Sequence, residues 1–154
     1  MFTSTKERFG LGRIFQDATE EALRTGDRRV GTEHVLVALL MDGDSVAARA
    51  LGTDVDQARD GLRELDRRAL LVVGLNGPPP GSALTRRRRE RLRLTPAAKE
   101  LFKGTRAKTD GDRFGVRHIL LLLLGLRSPD PAAELLDHLG IDREQARERL
   151  QAAR

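Results

Sequence analysis

The apolar positions of this chain recur at helical intervals in two stretches separated by a break. Leu11, Ile14, Phe15, Ala18, Ala22 and Leu23 fall three and four residues apart and share one face of a predicted first helix, with Phe15 expected in the core. Gly26 stands where that helix should stop. A second helix is predicted from Thr32, whose hydroxyl is suited to cap a free backbone N–H while Glu33 occupies the positive first turn. Val35, Leu36, Leu39 and Leu40 supply its buried face. Asp44 or Ser45 opens a short third helix through Val46, Ala47, Ala50 and Leu51, and a fourth covers roughly Asp56 to Ala69.

Beyond the break, Thr95-Pro96 sets a cap before a proline at the first helical position, where its missing donor costs little. Ala98, Leu101 and Phe102 follow on that helix, with Phe102 and Phe114 expected in the core. Ile119 to Leu126 is apolar nearly all round and is expected to be the most buried helix of its unit. Asp130-Pro131 opens a helix carrying Leu135 and Leu136, and Asp142 caps a last one carrying Ala146, Arg149 and Leu150. Strand formers cluster only at Leu70 to Val73, so no extended sheet is expected and the class is all-α.

The two stretches repeat each other. Val30-Gly31-Thr32-Glu33-His34 and its aliphatic run are answered 84 residues later by Phe114-Gly115-Val116-Arg117-His118 and another such run. Val46 to Leu51 is answered by Pro131 to Leu136, Val55-Asp56 by Ile141-Asp142, and Gln57-Ala58-Arg59 by Gln145-Ala146-Arg147. The predicted organisation is therefore a first four-helix repeat at 1–73, a linker at 74–93 and a second four-helix repeat at 94–154. Pro78-Pro79-Pro80 between glycines makes the linker an extended spacer, and Arg86 to Arg89, followed by Arg91 and Arg93, adds self-repelling charge.

Composition narrows the chemistry. The absence of cysteine removes a disulfide framework, a thiolate nucleophile and a thiolate zinc site. The segment from Met1 to Phe15 has no signal-peptide core, and Ile119 to Leu124 is too short to span a membrane, so a soluble, cytoplasmic protein is expected. The net charge of +5 invites a nucleic-acid reading, but the excess is concentrated at Arg86 to Arg93, and that strip lacks interleaved aromatics. It is expected to act as a solvated linker, as a docking strip (Arg86, Arg87, Arg88, Arg89) for an acidic partner, or, as the least expected case, as a nucleic-acid contact.

Several of these segments resemble a known family. The Gly31-Thr32-Glu33-His34 motif with its duplicate, the Thr95-Pro96-Ala97-Ala98-Lys99 start and the Gly43 to Ala48 step resemble the amino-terminal substrate- and adaptor-binding domain of the Clp unfoldase ATPases, best the ClpC and ClpA type. The resemblance covers roughly residues 9 to 152. It implies one compact all-helical domain of two four-helix units that docks adaptors and substrates, in some members proteins marked by phosphorylated arginine. No Walker sequence G-x-x-x-x-G-K-[ST] occurs, so ATP hydrolysis in the family's manner is not expected. A non-catalytic, cofactor-free monomer is expected, acting as regulator, adaptor or decoy in Clp-dependent proteolysis; a docking domain without an independent role is the plainer alternative.

Candidate residues follow from the repeat. His34 and His118 are expected to be structural, each packed between helices with a hydrogen bond that fixes its tautomer. No spacing assembles them with His138 into a metal site, and no nucleophile-base set is recognisable. A peptide pocket is expected around Phe2, Phe9, Thr32, Glu33 and Arg117, with Glu33 on an exposed helix start facing a basic group. If the modified-arginine site uses the acid of this motif, only Glu33 supplies it, since Arg117 would repel a guanidinium.

Overall fold

The computed structural model of the chain describes residues 10–43, 45–74, 92–107 and 116–153. Phe2, Phe9, Arg86 to Arg89, Phe114 and the alternative cap Asp44 lie outside the described residues. Eight helices occur among the described residues: α1 (Gly10–Thr25), α2 (Thr32–Leu40), α3 (Val46–Leu51), α4 (Val55–Val72), α5 (Pro96–Ala107), α6 (Val116–Leu124), α7 (Pro131–His138) and α8 (Arg143–Ala152). They form two repeated four-helix units.

The caps explain the boundaries. Ser45 Oγ accepts from the Ala48 N–H at 3.1 Å, Asp54 Oδ1 from Gln57 at 2.8 Å, and Asp142 Oδ1 from Gln145 at 3.1 Å. Thr95 Oγ1 accepts from Ala98 at 3.2 Å, and Asp130 Oδ1 from Ala132 at 2.9 Å. Each satisfies a backbone donor that has no partner inside its helix. Asp54 and Asp142 are thus the equivalent caps, each two residues after a left-handed glycine, Gly52 or Gly140. The match of Val55-Asp56 to Ile141-Asp142 is corrected by two residues. The fourth helix also starts at Val55 and runs to Val72, three residues past Ala69.

α2 is buried from Val35 through Leu40 and packs against α1, α4, α5, α6 and α7. Ile119, Leu120, Leu123 and Leu124 of α6 join the same core. Its Leu121 is 37% exposed, so α6 is not enclosed all round as its composition suggested. Phe15 also departs from expectation at 40% exposed. The buried stripe of α1 is Ile14, Ala18 and Ala22, spaced by four, and Phe15 lies about 100° from it at the rim. There its ring meets Phe102 edge-on, with centroids 6.1 Å apart.

The repeats interlock reciprocally. The third helix of each unit packs on the fourth of the other, α3 on α8 and α7 on α4. Gly61 allows the second contact: a Cβ there would lie 2.9 Å from Leu135 Cδ1 and 3.2 Å from His138 Cδ2. Gly61→Leu is expected to destabilise the fold by about 1–3 kcal/mol through overpacking, measured by urea denaturation; an unchanged midpoint would show that this approach is not tight.

Two short strands were not expected. β1 (Arg29–Val30) and β2 (Arg93–Leu94) pair in parallel, Arg29 opposite Arg93 and Val30 opposite Leu94. The Thr95 N–H donates to Val30 O at 2.9 Å and continues the bridge into the start of α5. Backbone pairing therefore begins at Arg93, inside the segment read as linker. A two-residue bridge leaves too short a run of β-formers to register as a strand pattern.

Candidate functional site

The site is built where α1 turns into α2. Gly26 ends α1 with φ of 78°, a conformation glycine adopts without strain, while the Gly26 and Asp27 N–H groups donate back to Leu23 O and Ala22 O. That closure leaves Asp27 facing the chain as it returns through β1. Gly31 then caps α2, and His34 turns back over it: the Gly31 N–H donates to His34 Nδ1 at 2.9 Å. The neutral ring accordingly carries its proton on Nε2, which donates to Asp27 Oδ2 at 2.8 Å. His34 thus closes the loop through both ring nitrogens. His118, its counterpart on α6, is half-buried.

Thr32 does not act as the predicted cap. It is the first residue of α2, buried, and its hydroxyl donates to Asp130 Oδ1 at 2.8 Å, joining the helix start to the cap of α7 in the other repeat. The cap position falls on Gly31 because Thr32 already lies inside the helix as its first residue, where its hydroxyl points to the other repeat and also accepts from the Ala132 N–H at 3.4 Å.

Glu33 is not the exposed acid expected from its position. Its side chain is 20% exposed, and Oε2 is buried without a hydrogen-bond partner. The carboxylate lies over Gly31 so closely that a Cβ there would be 2.2 Å from Oε2. Oε1 is 3.6 Å from His34 Nδ1. Burial pushes the Glu33 carboxyl above its ordinary range, against the pull of His34, and the charges of Asp27 and Asp130 add to the rise. Burial also raises Asp66 on α4, with the Asp27 charge contributing. Burial opposes ionisation of Asp27 as well, but its hydrogen bonds from His34 and Thr25 outweigh this and hold it low. For His34, burial disfavours the imidazolium, yet the Asp27 bond and the Glu33 charge lift it above its usual value. One imidazole thus sits among the carboxyls of Asp27, Glu33 and Asp66, a locally negative field.

Arg117 lies exposed in the first turn of α6 and makes no described hydrogen bond to the Thr32-Glu33-His34 turn. The structure therefore brings Thr32, Glu33 and His34 together with Asp27 and Asp130. Asp27 and Asp130 were missed as partners, although Gly26-Asp27-Arg28 recurs as Gly111-Asp112-Arg113.

A second buried acid was also missed. Glu21 is 1% exposed and accepts from Arg24 on its own helix at 2.6 Å and from Arg59 on α4 at 2.9 Å. These bonds outweigh burial and lower its carboxyl. The counterpart Arg147 instead donates to Leu124 O at 3.2 Å, so the repeated Gln-Ala-Arg triplet anchors the fourth helix in both units. A separate groove of about 860 Å³ runs between the Gly52 and Gly140 turns, lined by Thr53, Gln57, Ile141 and Gln145. Its acids Asp60 and Glu64 are held by Arg63 and by Arg67 and Arg68, which bring Glu64 down to about 2.

Among the described residues no group of three His, Asp or Glu side chains is arranged to hold a metal, and no helix is long and apolar enough to cross a membrane. Residues 11–109 match the Clp repeat (R) N-terminal domain. The chain is 31% identical over 137 residues to the chaperone protein ClpB of Oceanobacillus iheyensis, covering 85% of this chain and 15% of that protein. It is equally 31% identical over 137 residues to the negative regulator of genetic competence ClpC/MecB of Bacillus subtilis, covering 86% of this chain and 15% of that protein. The chain thus spans about 15% of the length of these curated relatives. With its two interlocked four-helix units and this match across most of its length, the chain belongs to the family of Clp N-terminal repeat domains.

Proposed function

We propose that the chain is a non-catalytic protein- and peptide-binding module of Clp-dependent proteolysis, acting in the cytoplasm as regulator, adaptor or decoy. Its ligand site is the start of α2, where Glu33 receives the guanidinium of a modified arginine. The observation that carries this reading is the Glu33 carboxylate: one oxygen buried without a hydrogen bond, in a field to which Asp27 and Asp130 add negative charge. A guanidinium that draws the side chain outward supplies the paired donors it lacks. Thr32 positions the turn through Asp130. Phe2 and Phe9 are proposed as apolar walls of the pocket, Arg117 as a contact for an acidic portion of a ligand, and Arg86 to Arg89 as a docking strip for an acidic partner surface.

The test is calorimetric titration with a phosphoarginine-bearing peptide and its unmodified arginine twin. Glu33→Gln, which keeps the shape and removes the charge, is expected to weaken binding of the modified peptide by at least about tenfold. Unchanged affinity in a folded Glu33→Gln variant removes Glu33 from the site.

A further inference from the structure

The parallel bridge carries a feature that packing does not explain. Val30 is buried and Leu94 half-buried, whereas their neighbours Arg29 and Arg93 are both exposed and stand directly opposite each other. Strand spacing holds the two backbones roughly 4.8 Å apart, so two guanidinium groups leave adjacent points on the same face. Arg28, immediately before them, is exposed as well.

Elsewhere the described arginines mostly find partners. Arg13 pairs with Asp17, Arg24 and Arg59 with Glu21, Arg63 with Asp60, Arg67 and Arg68 with Glu64, Arg143 with Asp137, and Arg147 with Glu144. Arg28, Arg29 and Arg93 make no hydrogen bond or ion pair with a described residue. Like charges set in register across a strand pair repel, so the arrangement weakens the bridge it decorates. It gains a purpose when an anion sits between them, because guanidinium forks match carboxylates in paired geometry.

We infer that Arg29 and Arg93, with Arg28 beside them, form a binding surface for an acidic polypeptide segment of a partner protein. Discrete carboxylates suit the surface better than a continuous polyanion. Asp27 adjoins Arg28 in the chain and Val30 follows Arg29, so the basic run at this strand is two residues long and offers a polyphosphate few contacts. None of the three arginines is interleaved with an aromatic residue on which bases would stack. The surface is separate from the Glu33 site, which takes the opposite charge.

The test uses a fluorescein-labelled octapeptide of alternating Glu and Gly, followed by anisotropy across a salt series. The Arg29→Ser, Arg93→Ser double variant is expected to bind it about tenfold more weakly and with a shallower salt dependence. Its melting temperature should stay level or rise, since a repulsion has been removed, and its affinity for a phosphoarginine peptide should be unchanged. Equal affinity and salt dependence in the double variant would overturn the inference. So would a single-stranded oligonucleotide of equal charge that binds more tightly and is lost with the same two arginines. Loss of phosphoarginine binding in Glu33→Gln alone bears on the other site, so the two claims fail separately.

Discussion

Replacing Glu21 with alanine is expected to lower the stability of the fold by about 3 kcal/mol, with the melting temperature falling by about 6–12 °C for a chain of this size. The carboxylate is almost fully buried and holds two guanidinium groups, one from α1 and one from α4. Its removal leaves Arg24 and Arg59 with their charges and without the acceptor that offset their partial burial. Arg59→Ala should cost less, because Glu21 keeps Arg24. The order of the two urea midpoints is therefore diagnostic: if Arg59→Ala is the more damaging, the buried carboxylate is not the anchor. Acid gives a second check. The folded Glu21 carboxyl is held low, so its contribution is present above the unfolded value near 4.5 and is lost as pH falls through the folded value. The alanine variant should lose that part of the acid transition.

The second large effect belongs to His34. His34→Leu is expected to cost about 2–4 kcal/mol, because the Gly31 N–H loses its acceptor at a buried helix start and Asp27 loses the ring that holds it. The variant should also change the response to base. His34 and Glu33 are both raised in the folded chain, so the folded state binds protons that the unfolded state releases. Their contribution is full below the unfolded value, 6.5 for the imidazole, and fades as pH rises through the folded value. Urea midpoints of the natural chain should decline as pH rises above 6.5 and through the raised folded value, and the decline should be much smaller in His34→Leu. Flat midpoints in the natural chain above that unfolded value would contradict the electrostatics described for the turn.

Much of the fold was legible because each level of the sequence agreed. Ser45, Thr95, Asp130 and Asp142 announced helix starts, and all four accept the expected backbone hydrogens. The duplicated motif gave two units because a repeated core demands repeated apolar spacing. What stayed hidden depended on pairings across long separations. Thr32 looked like a cap, since nothing near it in the chain reveals Asp130 98 residues away. Glu33 looked exposed because a first-turn acid usually is, and only the open space over Gly31 lets it fold inward. Glu21 left a clearer trace: it falls seven residues after Ile14 and three after Ala18, on the buried face of α1, where an acid requires a cationic partner. The bridge between Arg29 and Arg93 had no periodic signature to follow, being two residues long.

The copies share a fold while differing at the turn proposed to receive the modified arginine. Glu33 is drawn in beside His34 in the first repeat, whereas the second presents exposed Arg117 at the matching place. Calorimetric titration of the natural chain with a phosphoarginine-bearing peptide tests this asymmetry most directly. One peptide bound per chain, with the heat abolished in Glu33→Gln, is the predicted result; two peptides bound per chain, or one whose affinity is unaffected by that substitution, would contradict it.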